Sequence, residues 1–153
     1  MLETRLSEVL ASGGSVLVGF SARSVSEAIP LLMTPALSRA AVPGERQQSI
    51  LQAIEKREEG ASTVSPPLAL PHARCAGVDR IVAGLGINRS GALEERSGVN
   101  AVVSFVSPET ASAEHLRFLS GVAKLFRSPA SVEELLAAQS SEELVEILRR
   151  LGH

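Results

Sequence analysis

The chain has 153 residues, 44% of them hydrophobic and 21% charged, with 15 Lys+Arg against 17 Asp+Glu. That composition fits a single domain, 1–153, able to bury a full core without disulfides or a structural metal. Interleaved charges with a net of -2 leave no footprint for a phosphate backbone, and aromatics at 3%, all four of them Phe, leave few stacking platforms, so nucleic acid is excluded as the main partner and sugar stacking is disfavoured.

Leu2, Leu6, Val9 and Leu10 recur at helical spacing before Ser12-Gly13-Gly14, so a short helix opens the chain. Ser15 to Phe20 is a brief apolar run between glycine and small polar residues, the pattern of a buried strand. Ser24 and Glu27 form a capping box for a helix running towards Ala41, which Pro30 and Pro35 are expected to kink or split. After the Pro43-Gly44 break, Glu45 to Glu59 reads as a helix with Ile50, Leu51 and Ile54 on its apolar face and a charged end from Glu55 to Glu59. A proline-rich loop, Gly60 to Pro67, leads into Leu68-Ala69-Leu70-Pro71-His72, read as a short strand with the histidine at its end.

Arg80 to Asn88 and Asn100 to Ser107 read as two further strands. From Ser112 onward Leu116, Leu119, Val122, Ala123 and Phe126 share one helical face, until Arg127-Ser128-Pro129 interrupts it. Ser131 with Glu134, and Ser140 with Glu143, cap two closing helices. This order predicts an α/β fold: a three-layer α/β/α arrangement with a small mixed β-sheet flanked by helices. The short connections between the middle strands imply some antiparallel pairing.

The three histidines sit in unlike settings. His153 ends the chain and reads as a disordered tail. His72 follows a rigid proline, and strand alternation puts Arg74 on the same face. An imidazole near neutral pH can act as a nucleophile, and a guanidinium can orient a phosphoryl group. Locally, His72 reads either as that nucleophile or as a partly exposed loop histidine. His115 reads as a solvated or capping histidine or as a site residue, and Arg57 as part of a solvated charged face.

Rival chemistries lack their residues. Only His72, Cys75 and His115 offer sulfur or nitrogen to a metal, without metal-binding spacing, so no metal site is expected. Gly84-Leu85-Gly86 is not followed by the pattern of a phosphate-cradling loop, and no G-x-S-x-G elbow occurs. The lone Cys75 rules out an internal disulfide and points to a reducing, cytoplasmic setting. No apolar run approaches the roughly 20 residues that span a bilayer, and MLETRLSEVL mixes charge with Leu, so neither export nor membrane insertion is expected.

Together these segments resemble the enzyme IIA domain of the fructose, mannitol and nitrogen-regulatory branch of the bacterial phosphoenolpyruvate-dependent phosphotransferase system. The likeness rests on Arg57-Glu58 at a helix end, Ser62-Thr63 opening a loop, the apolar-Pro-His signature Leu68 to His72, and a strand ending at Pro108 before His115-Leu116-Arg117-Phe118-Leu119. It departs at Val64-Ser65-Pro66-Pro67, where the family loop is glycine-rich, and at Ala73, where a glycine usually follows the histidine.

The resemblance implies a phosphoryl carrier without cofactor. His72 would accept the group at Nε2 from an HPr-like phosphocarrier or its nitrogen-branch counterpart and pass it to a IIB domain or a regulated protein. His115 would orient the imidazole or contact phosphoryl oxygens, Arg57 would supply positive charge, and Arg74 would help to stabilise the phosphoryl group. Docking would use the prolines and leucine of Pro66-Pro67-Leu68. The alternative is a non-phosphorylated IIA-like module that docks a protein partner.

Overall fold

The computed structural model describes residues 2–96 and 98–153. Its elements run α1 (Leu6–Ala11), β1 (Ser15–Val18), α2 (Val25–Arg39), α3 (Gly44–Gly60), β2 (Leu68–Ala69), β3 (His72–Cys75), β4 (Val82–Ile87), β5 (Ala101–Pro108), α4 (Ser112–Phe126), α5 (Pro129–Leu136) and α6 (Ser141–Arg150). β1 pairs parallel with β4, β4 antiparallel with β5, and β2 and β3 both parallel with β5. The mixed sheet is the one expected, and the antiparallel pair is the two strands joined by the short connection.

Alternation along β5 builds a core on each side of it. Ala101, Val103 and Phe105 pack towards α1, α4, α5 and α6, whereas Val102 and Val106 pack towards α2 and α3. Helices therefore cover both faces, giving the three layers. On β4 the residues facing α2 include Gly84, where a Cβ would sit 2.8 Å from the Leu32 carbonyl oxygen. Glycine at that position lets α2 lie directly on the strand.

Several local expectations change. α2 is one helix through both prolines. Pro30 is exposed and Pro35 half-buried, while Ile29, Leu32, Met33, Ala36 and Leu37 are buried on the opposite face. The two carbonyls deprived of a helical partner belong to Ser26 and Leu31, both exposed, so solvent is open to them while apolar burial keeps the helix continuous. Ser24 and Ser140 cap as expected, each accepting from the N–H three residues on. α5 instead starts earlier, with Ser128 accepting from Ser131 N–H and Pro129 in the first turn, where a missing N–H costs nothing.

Two further corrections concern the site's surroundings. The segment Leu68 to His72 is two strands, not one, because Pro71 has no N–H for the ladder; His72 therefore opens β3 instead of closing a strand. His153 is not a loose tail: its carbonyl accepts from Ser7 N–H at 2.9 Å and its own N–H donates to Leu148, tying the last turn to α1.

Candidate functional site

The break at Leu70-Pro71 frees backbone groups that would otherwise be spent on the sheet. Leu70 N–H donates to Thr63 Oγ1 at 3.1 Å, and Glu58 accepts from both the hydroxyl and the N–H of Thr63, at 2.6 and 2.9 Å. The end of α3 thus braces the loop that enters β3. The Leu70 carbonyl then meets His72 Nδ1 at 2.6 Å. A carbonyl only accepts, so Nδ1 carries the proton and Nε2 keeps its lone pair.

Register places the rest. His72 lies opposite Phe105 on β5, and their rings stack with centroids 5.0 Å apart and 7° between planes. α4 follows directly after β5. Its inward face carries His115, Phe118, Val122, Leu125 and Phe126, whereas Leu116, expected inside, is 62% exposed. That rotation makes His115 buried instead of solvated. Its ring sits 5.4 Å from that of His72 and 5.3 Å from that of Phe105, centroid to centroid. The buried Ser107, two residues beyond Phe105 on the same face, hydrogen-bonds His115 Nδ1.

Both histidines line an open cleft of about 660 Å³ with Lys56, Arg57, Arg74, Glu109 and Leu119. Arg57 is exposed at the end of α3 and donates to the Ala61 carbonyl at 3.0 Å. Arg74 points to the His72 face as strand alternation requires, and its guanidinium donates to Ser112 Oγ at 2.6 Å. A second, more apolar groove of about 920 Å³ shares Arg57, His72 and Leu119 and continues past Pro66, Pro67 and Phe126 to Val132. In the loop expected to offer a docking edge, Pro66 is exposed, Pro67 half-buried and Leu68 buried. Leu68 packs in the core because it pairs with β5.

The electrostatics favour neutral imidazoles. Burial lowers the His72 pKa, opposed by its bond to Leu70 and reinforced by Arg57. Burial, then His72, Arg74 and Arg57, push His115 down to about 4. A neutral imidazole with a free Nε2, beside guanidinium groups and a second imidazole, can attack phosphorus and leave the oxygen charge to its neighbours. Cys75 differs: burial and Glu109 raise its thiol, which keeps it protonated and unreactive.

An acid-stability prediction follows from these directions. The folded pKa values lie below the ordinary histidine value, so the unfolded chain binds protons first as pH drops. The stabilisation is complete above about pH 6.5 and is lost progressively as the pH falls towards 4. After discounting for solvent at the open cleft, His115 should account for about 1–2 kcal/mol between pH 7 and roughly pH 4.5. Thermal melts of wild type and His115→Gln at the two pH values check this: the variant should lose less stability on acidification, and an equal loss would remove His115 as the cause.

His72, His115, Arg57 and Arg74, the four residues expected from the sequence, are brought to one cleft. Sequence reasoning missed Phe105, Ser107, Thr63, Glu58, Lys56 and Glu109 as contributors. Thr63 and Glu58 were marked by the resemblance without a role, and nothing local distinguishes Phe105 or Ser107 from other strand residues. Ala73, where the family has glycine, belongs to the core cluster under α2 and α3 and also lines the cleft.

Comparison with known proteins bears on the family and the fold. The family described as "Phosphoenolpyruvate-dependent sugar phosphotransferase system, EIIA 2" matches residues 10–151. The chain is 24% identical over 143 residues to a nitrogen regulatory protein from Bradyrhizobium diazoefficiens, covering 91% of this chain and 92% of that one. Among solved structures it resembles nitrogen regulatory protein IIA-Ntr from Neisseria meningitidis, with a TM-score of 0.75, 23% identity and coverage of 94% and 98%. It also resembles the mannitol enzyme IIA from Escherichia coli in a complex with phosphorylated enzyme IIB, with a TM-score of 0.67, 18% identity and coverage of 89% and 94%.

Proposed function

Since the chain belongs to the EIIA 2 family of the phosphoenolpyruvate-dependent sugar phosphotransferase system, we propose that it is a histidine phosphoryl carrier with His72 as the acceptor. The observation that carries this reading is the hydrogen bond between His72 Nδ1 and the Leu70 carbonyl, which leaves Nε2 free in a cationic cleft. The Nε2 lone pair attacks phosphorus, the bond from phosphorus to the donor's ring nitrogen breaks, and the donor imidazole departs with that electron pair. The ring of His72 gains positive charge, which the Leu70 carbonyl stabilises through Nδ1–H. Arg57, Arg74 and His115 face the oxygens. Positioning and charge are most of what such a transfer needs, so no cofactor enters the scheme.

The donor is an HPr-like phosphocarrier or its nitrogen-branch counterpart, docking in the cytoplasm against the apolar groove beside His72. The acceptor is a IIB domain or a regulated protein. A IIB acceptor is supported by the mannitol enzyme of similar fold, solved with its phosphorylated IIB. Regulation is favoured over sugar uptake by the similarity to a nitrogen regulatory protein. The test is intact-protein mass spectrometry after incubation with phosphoenolpyruvate, enzyme I and an HPr-type carrier. One acid-labile phosphoryl group per chain is expected. No mass gain on folded protein would replace the carrier with a non-phosphorylated module that docks a partner.

A further inference from the structure

We propose that Ser107 is a positioning residue for the transfer: its hydroxyl donates to His115 Nδ1 and holds that ring as the Nε2–H tautomer, a hydrogen-bond donor to the phosphoryl group bound for His72. The role rests on the carrier reading above. The tautomer stands on geometry alone.

Ser107 lies on β5 opposite Arg74 and is fully buried. Strand alternation gives it the same face as Phe105, under α4, where His115 comes down from the first turns of the helix. The bond to His115 Nδ1 is the one its hydroxyl makes among the described residues. Arg74, the nearest cation by register, is directed instead to Ser112.

Two proton placements are compatible with a bond between a hydroxyl and an imidazole nitrogen. If Nδ1 donated, the serine would accept, and its own proton would be left buried without an acceptor. If the serine donates, its proton is satisfied and Nδ1 is the acceptor. Burial away from water decides for the second, because an unsatisfied buried donor is the costlier arrangement. With Nδ1 accepting, the ring is neutral and its single proton sits on Nε2.

That choice matters for an anion. A lone pair on Nε2 would repel phosphoryl oxygens, whereas N–H attracts them. The two histidines are thereby held in opposite tautomers by two different partners: the Leu70 carbonyl keeps Nε2 of His72 bare for attack, and the Ser107 hydroxyl keeps Nε2 of His115 protonated for donation. An outer partner that fixes ring orientation and tautomer is a known lever on imidazole function.

The experiment has two parts. Ring-nitrogen NMR of the unphosphorylated wild type at neutral pH should show His115 with a pyridine-like Nδ1 and a protonated Nε2. Ser107→Ala should mix the tautomers, and Ser107→Thr should restore the wild-type pattern. Single-turnover transfer from the phosphorylated donor should slow about tenfold in Ser107→Ala, at unchanged half-saturating donor concentration, and recover in Ser107→Thr. His115 protonated on Nδ1 in wild type, wild-type transfer by the alanine variant, or a threonine variant no better than alanine would each overturn the proposal. A wild type that accepts no phosphoryl group would overturn the carrier reading and the role in transfer together, while the NMR spectrum would still decide the tautomer.

Discussion

His72→Gln is expected to accept no phosphoryl group under conditions that label every wild-type chain, while keeping the native fold. Glutamine has an amide nitrogen whose lone pair is delocalised into the carbonyl, so it fills similar space without being a nucleophile. The substitution loses the flat contact on Phe105, with its 5.0 Å centroid separation and 7° tilt, and the bond to Leu70. Those losses together cost about 1–2 kcal/mol of stability, well short of the usual 5–15 kcal/mol that holds a domain. Mass spectrometry on material with a cooperative melt separates loss of the nucleophile from loss of fold. Retained labelling would move the phosphoryl group to His115 or His153, the other histidines. His153 would be the poorer choice, since it lines a separate pocket with Arg5, Arg117 and Lys124.

The placement of the cleft residues is legible in the sequence where it is written locally. A proline before His72 and an arginine two residues after it are adjacent in the chain, and alternation alone puts His72 and Arg74 on one face. The same adjacency misled at the strand boundary. Pro71 reads as the rigid approach to a strand end, but its missing N–H divides the strand, and that division releases the Leu70 carbonyl to fix the His72 tautomer. The phase of α4 is misread for a different reason. Helical periodicity puts Leu116 inside, yet the sheet-facing stripe begins at His115, a rotation set by where β5 delivers the chain. Phe105 and Ser107 depend on the pairing of β3 with β5, thirty-odd residues apart, so no local pattern marks them. Pro30 and Pro35 taught a related lesson. Their cost is small when the orphaned carbonyls face water, and facing is a property of the packed helix, not of the dipeptide.

Charge and burial divide the work at the cleft. The arginines are exposed and the histidines buried. A guanidinium stays charged at any relevant pH and tolerates solvent, so it supplies attraction for the incoming dianion without needing the protein interior. The imidazoles need the opposite, because a protonated His72 has no lone pair with which to attack. Desolvation favours the neutral form of His72, and the neighbouring arginine acts in the same direction. In the proposed carrier, the positive charge that would bind the phosphoryl group therefore also disfavours protonation of His72. Acidification should slow acceptance only below the ordinary histidine range.

That division sets the expected result for His115→Ala: a fall of about 10²–10³ in the rate of phosphoryl transfer, with little change in the concentration of donor that half-saturates it. The magnitude is that of deleting one preorganised donor aimed at developing oxygen charge. Docking should be spared because His115 is 9% exposed and contributes almost no surface to a protein partner. The fold should survive. The ring lies beside the open cleft, where water can occupy the space, and the lost contact with Phe105 at 5.3 Å is a tilted one worth about 1 kcal/mol. His115→Gln offers an N–H near the position of Nε2–H and should recover part of the lost rate. Single-turnover transfer measured over a range of donor concentrations distinguishes the cases. An alanine variant as fast as wild type would make His115 a packing residue and leave Arg57 and Arg74 as the groups that meet the oxygens. A variant impaired mainly in half-saturation would place His115 at the docking surface, which its burial argues against.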